Sequence, residues 1–199
     1  LDYDPSIYQI PTFVAAVAYQ ALTGAALGFL VYALFAVVQS AGELIDLQTG
    51  FSAAQLYDPF TQAAATPIGR LYQLVTLGIL FAIDGHLVLV RGFLHSFDAA
   101  PLAGLDLENM SRVLTTDVAG FLVAALEIAA PLLAAMFLGE IVLGVLSKAA
   151  PQVNILQLGF IVKILLALVL VGLALPLLPS VVRSLTEHSV RVGDAVLRR

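Results

Sequence analysis

Cysteine and tryptophan are both absent from this chain of 199 residues, and charge is scarce. Without cysteine there is no disulfide framework and no thiolate metal site. Without tryptophan, an aromatic belt at a membrane surface must draw on the six Tyr and eleven Phe. Charged side chains make up 12% of the chain, where a soluble domain carries roughly 25%. A mild formal charge of −5 and the lack of any basic run argue against a nucleic-acid surface. No Walker loop, GxGxxG, HExxH or GxSxG occurs, so no enzyme activity and no cofactor are expected. His86 and His95 do not have the one-turn spacing of a metal pair, and no metal is expected. The stretch from Leu1 to Pro11 has no basic residue, unlike a signal peptide.

What is present is apolar sequence. Hydrophobic residues are 60% of the chain, and mean hydropathy is +0.99. A spanning helix needs about 20 apolar residues. The length therefore accommodates about four such helices, and the expected class is all-α: an integral membrane protein of long, kinked helical hairpins.

The first helix is expected from about Thr12 to Gly42, since no charge falls between Asp4 and Glu43. Gly24 and Gly28 share a small-xxx-small spacing that lets another backbone approach. From Glu43 to Pro67 the chain turns semi-polar, and Gly50 and Asp58-Pro59 mark a turn or broken helix, with an ordinary surface loop as the alternative. A second helix is expected from Ile68 to Phe97, with Asp84, His86 and Arg91 near a helix end or paired between helices. A polar connection, Asp98 to Asp117, leads into a third helix from Leu107 to Ala149, which Asp106 is placed to cap. Pro131 is expected to kink it. Its Glu127 and Glu140 lie on different faces and form no acid/base pair. A fourth helix runs from about Val153, interrupted at Pro176 and Pro179. The tail from Arg183 to Arg199 reads as a solvated amphipathic helix, cytoplasmic by the positive-inside rule.

Lys163 is the only charge between Asn154 and Val182. A buried unpaired ammonium is costly, so it must pair, face a pore or partner, snorkel, or shed its proton. If the third and fourth helices turn at Pro151, residues equidistant from the turn share a depth. Glu140 is then the expected partner, and breaking such a pair when fully buried costs about 3–5 kcal/mol.

The blocks themselves resemble a known family. Gly24-Ala25-Ala26-Leu27-Gly28-Phe29, the run from Ala41 to Ser52 (Ala41-Gly42-Glu43-Leu44-Ile45-Asp46-Leu47-Gln48-Thr49-Gly50-Phe51-Ser52) and Asp58-Pro59 come first. Asp84-Gly85-His86-Leu87, Ser96-Phe97 and Pro101 follow, then Ala149-Ala150-Pro151-Gln152-Val153-Asn154-Ile155, Gly159-Phe160 and Lys163. In order and together they resemble the FliR family of flagellar biosynthesis proteins and its injectisome counterpart, with the flagellar system favoured.

The resemblance implies one membrane-embedded export-gate domain over residues 1–199, with the family's first helical region missing ahead of Leu1. It implies a subunit of the type III secretion export gate in the bacterial inner membrane, at the flagellar basal body. Implied partners are FliP-like and FliQ-like gate subunits, a FlhB-like subunit, exported unfolded substrates and membrane lipid, with no nucleic acid. The family's plug maps onto Leu47, Gln48, Gly50, Phe51, Ser52, Ala53, Gln55, Leu56, Tyr57 and Asp58. Flagellar members usually carry Met after the Phe-Ser pair, where this chain has Ala53; Phe51, Leu56, Tyr57 and Phe60 remain to fill a pore. Small residues at Gly24, Gly28, Gly139 and Gly144 suit packing between subunits. The competing class is a stand-alone small-solute transporter using Asp84, Glu127, Glu140 and Lys163, although no internal repeat supports it. An intramembrane enzyme lacks a catalytic pair with workable spacing.

Overall fold

A computed structural model describes residues 10–51, 66–99, 107–149 and 155–197. These residues form helices α1 (Ile10–Thr49), α2 (Pro67–Ala82), α3 (Gly85–Ala99), α4 (Leu107–Ala149), α5 (Ile155–Ala174) and α6 (Leu178–Leu197). A 3-10 turn, Leu175–Leu177, joins the last two at Pro176. The chain is all-α.

Helix α1 is the central post. With 40 residues at about 1.5 Å each, it is roughly 60 Å long. Its buried stripe, Leu30, Leu34, Val38, Ala41 and Ile45, recurs every three or four residues, the period of one helix face. That stripe meets Tyr72 of α2, Phe121, Leu132 and Met136 of α4, Ala167 and Val171 of α5, and Leu178 and Leu185 of α6. On the outward face of α4, Leu122, Val123, Leu126, Phe137, Leu138 and Val142 are exposed. Apolar surface this continuous suits lipid or partner helices rather than water. By length and composition, Ala16–Thr49, Thr115–Ala149 and Leu158–Gly193 can each cross a membrane.

Three sequence expectations need correction. The first helix does not stop near Gly42 but continues to Thr49. Its polar residues are satisfied in place: Gln39 Nε2 donates to Glu43 Oε1 at 2.8 Å, and Asp46 is claimed by the next helix. Gly50, at φ +89°, then ends the helix in the left-handed region.

The second helix is two helices, α2 and α3, bent by 76°. Asp84 sits at the break with φ +56°, a conformation that Asp tolerates better than most residues. Together the bent pair is long and apolar enough for a fourth, broken span.

The tail is not a solvated helix. Helix α6 packs against α1, α2, α3 and α4. Val182, Leu185, Thr186, Ser189 and Val192 are buried, while Arg183, Glu187 and Arg191 occupy its exposed face.

Candidate functional site

The crossing of α1 and α2 is set by two glycines. A Cβ on Gly42 would lie 2.6 Å from the Gly69 Cα and 2.9 Å from the Ile68 carbonyl oxygen. Only hydrogen at position 42 permits this approach. One turn further along α1, Asp46 is on the same face and has no exposed surface. Its Oδ1 accepts from the Ile68 N–H at 3.1 Å and its Oδ2 from the Gly69 N–H at 2.9 Å. The start of a helix leaves amide groups unpaired and carries partial positive charge. Asp46 satisfies both needs from 22 residues upstream. Thr66, the residue before α2, makes no side-chain cap of its own.

The same turn of α1 holds the departing chain. Thr49 Oγ1 donates to the Asp46 carbonyl oxygen at 2.8 Å. Phe51 packs against the core. Thus both roots of the segment 52–65, at Gly50-Phe51 and at Thr66 to Gly69, are anchored around Asp46.

Beside this clamp lies a polar junction of three helices. Gln48 Nε2 on α1 donates to Glu140 Oε2 on α4 at 3.0 Å. Lys163 Nζ on α5 donates to the other oxygen, Glu140 Oε1. The side chains of Lys163 and Glu140 keep 27% and 35% of their surface, so the pair is partly buried. Antiparallel packing of α4 on α5 brings it together: Gly139 faces Leu166 and Leu143 faces Gly159 on either side of it. Phe160 of α5 lies next to Gly50, 3.5 Å from where a Cβ would stand. One carboxylate therefore ties the end of α1 to both helices of the α4–α5 hairpin.

The remaining site residues divide as follows. Leu47 is 67% exposed and points away from the core. Ser52, Ala53, Gln55, Leu56, Tyr57, Asp58 and Phe60 lie outside the described residues, as does the Asp106 cap. A Cβ added at Gly24, Gly28 or Gly144 would meet no atom within 4 Å, so no described helix of this chain packs on them. Gly139 does have a neighbour, with Leu166 Cδ2 at 2.9 Å from such a Cβ. Of the four residues a transporter reading groups, Glu140 and Lys163 meet. Asp84 is at the α2–α3 bend, and Glu127 lines a cavity with Ser180 and Ser184 between α4 and α6.

Two features escape the sequence pattern. One is Asp46, visible as a carboxylate after a long uncharged run but not as a cap. The other is a contact between His188 Nε2 on α6 and Asp117 Oδ1 on α4, 2.9 Å apart. Asp117 reads as part of a polar connection, yet it is buried. Among the described residues no three His, Asp or Glu side chains cluster as metal ligands do.

Residues 2–189 match the family described as bacterial export proteins, family 1. The chain belongs to that family. Its relatives come from both secretion types. The flagellar biosynthetic protein FliR of Bacillus subtilis (strain 168) is 30% identical over 200 residues, covering 96% of this chain and 76% of that protein. FliR of Escherichia coli (strain K12) is 32% identical over 161 residues, covering 80% of this chain and 61% of that protein. The Yop proteins translocation protein T of Yersinia pestis is 29% identical over 155 residues, covering 76% of this chain and 59% of that protein. Membership makes this chain a bacterial export protein of the type III secretion kind, with helices able to cross a membrane.

Proposed function

We propose that this export protein is a gate subunit of the type III apparatus in the inner membrane, and that the segment after Gly50 plugs its channel. The observation that carries the proposal is that segment 52–65 leaves and returns at one corner of the fold, between the last turn of α1, where Phe51 packs against the core, and the first turn of α2, whose Ile68 and Gly69 amides the Asp46 carboxylate holds. A plug must stay attached while it moves out of the path of a polypeptide. Fixed roots, a buried carboxylate holding two amides, and a neighbouring three-helix polar junction meet that requirement. Apolar side chains at a constriction seal against ions by excluding water. Leu56, Tyr57 and Phe60 supply them in this reading, with Phe51 packed against the core at the root.

The junction has a role in the same proposal. Gln48 belongs to the root of the plug, while Glu140 and Lys163 belong to the α4–α5 hairpin. Movement of the hairpin pulls on the root through the Glu140 carboxylate. Gly144 has open space beside it and an apolar neighbourhood on α4, which suits a helix of an adjoining subunit. FliP-like and FliQ-like subunits, with a FlhB-like one, are the proposed neighbours, and unfolded flagellar proteins the proposed cargo.

Purification from membranes tests the assignment. The chain is expected to come out in a stoichiometric complex with FliP-like and FliQ-like subunits. A chain that purifies alone and carries a small solute across vesicle membranes overturns it.

A further inference from the structure

The stretch Thr115–Ala149 of α4, long and apolar enough to cross a membrane, carries three carboxylates: Asp117, Glu127 and Glu140. Two of them are answered from within the chain. Asp117 meets His188 of α6 at 2.9 Å, and Glu140 meets Lys163 of α5. Glu127, between them, has no ion pair and no hydrogen bond among the described residues. It is also the only charge from Val118 to Gly139. Those 22 residues rise about 33 Å, close to the thickness of a hydrocarbon core. Glu127 is near their middle, too deep for a short side chain to reach a membrane surface. An ionised carboxylate at such a depth is unfavourable unless something pairs with it.

The Glu127 side chain lines a cleft of about 330 Å³ between α4 and α6. Ser180 and Ser184 of α6 line it as well. Ser180 Oγ donates to the Leu177 carbonyl oxygen at 2.7 Å and keeps its lone pairs. Ser184 has no hydrogen bond among the described residues. The cleft therefore holds one negative charge and hydroxyl oxygens that can accept, with no cation among its lining residues. The nearby basic groups are engaged elsewhere or distant. Lys163 and His188 are taken, and Arg183 donates to Glu187 at 3.4 Å. Arg191 stands two turns beyond Ser184, about 10 Å along α6.

Beside the cleft, α4 presents Gly120, Val123, Ala130 and Ala134 on the face of Glu127, all exposed. Their steps of three and four residues follow one side of a helix. A Cβ on Gly120 would meet no atom within 4 Å. Small side chains on this face let a second helix come close.

We propose that a helix of an adjoining subunit packs along this face and places one lysine or arginine side chain in the cleft. That cation pairs with Glu127 and donates to the Ser180 and Ser184 hydroxyl oxygens. A helix is about 10–12 Å across, so the cleft takes a side chain while the helix rides outside it. An acyl chain offers nothing to a carboxylate at the middle of the bilayer. The inference rests on the reading of this chain as one subunit of a complex, and not on the plug.

The test uses the complex extracted from membranes. A photocrosslinker at Ala130 leaves Glu127 in place and is expected to capture a partner-subunit helix, with a lysine or arginine within one turn of the captured residue. Glu127→Lys sets like charges against each other and is expected to lower the co-purified partner about tenfold. Changing the captured subunit's basic residue to Glu is expected to restore it. The chain has no cysteine, so Glu127→Cys adds its single thiol, which is expected to resist a membrane-impermeant maleimide in the intact complex. A complex that assembles but crosslinks at Ala130 to lipid, or to a helix without a basic residue, overturns this pairing alone. So does rapid maleimide labelling, which would place Glu127 in water, or full co-purification of Glu127→Lys. A chain that purifies without other subunits overturns the pairing together with the subunit reading.

Discussion

Replacing Asp46 by Ala isolates the clamp. The carboxylate is fully buried and accepts two backbone amides, from Ile68 at 3.1 Å and Gly69 at 2.9 Å. Hydrogen bonds to a charged group contribute about 1.5–3 kcal/mol each. Against this stands the desolvation of the carboxylate, an effective cost of several kcal/mol. Capping residues as a class lose about 0.5–2 kcal/mol on change to Ala. Two charge-assisted bonds at the α2 N-terminus place the net loss near 2 kcal/mol, concentrated at that terminus. Amide hydrogen exchange reads the local effect directly. At 1.4 kcal/mol per decade, the Ile68 and Gly69 amides of Asp46→Ala are expected to exchange about 30-fold faster. Exchange in the middle of α4, around Ala129, is expected to stay as it is. Asp46→Asn keeps one acceptor and offers an NH₂ to the other amide, so it is expected to free one of the two amides and not both. Unchanged exchange at both amides in Asp46→Ala would falsify the clamp.

Gly42→Ala forces a methyl against the Gly69 backbone and is expected to cost about 1–3 kcal/mol in thermal or SDS unfolding. Gly172→Ala, where nothing lies within 4 Å, is expected to change stability by no more than about 0.5 kcal/mol either way. Gly50→Val strains a left-handed residue and is expected to destabilise the end of α1 by about 1–2 kcal/mol, seen as faster exchange from Asp46 to Gly50. A double-mutant cycle on Lys163→Met and Glu140→Gln is expected to give a coupling of about 0.6–1.7 kcal/mol, the range for polar contacts between membrane helices. It falls below the 3–5 kcal/mol of a fully buried pair because about a third of each side chain is exposed. Strict additivity in the complex removes the interaction.

The helical class and the extent of α4 are legible in the sequence because long uncharged runs have one stable form in a membrane. Glu140 and Lys163 stand at matched distances from Pro151, so charge spacing alone puts them at one depth. The arrival of Gln48 at the same carboxylate depends on where α1 ends, and no local signal carries that. Likewise, Asp46 is preceded by apolar helix and followed by more helix, and its amide partners come from α2. The break at Asp84 is a positive φ in one residue, too local for hydropathy to show. Helix α6 misleads for a different reason: Arg183 and Glu187 fit a solvated helix, while Val182, Leu185, Thr186 and Ser189 on its other face complete the core.

The central claim is that the segment rooted at Asp46 seals the gate of an export channel. The most direct measurement is ion conductance of the assembled complex in planar bilayers, with and without residues Gly50 to Gln55. The deletion is expected to leave assembly intact and raise the leak conductance above that of the intact gate. Leak equal to the intact gate, in a complex of unchanged composition, contradicts the claim.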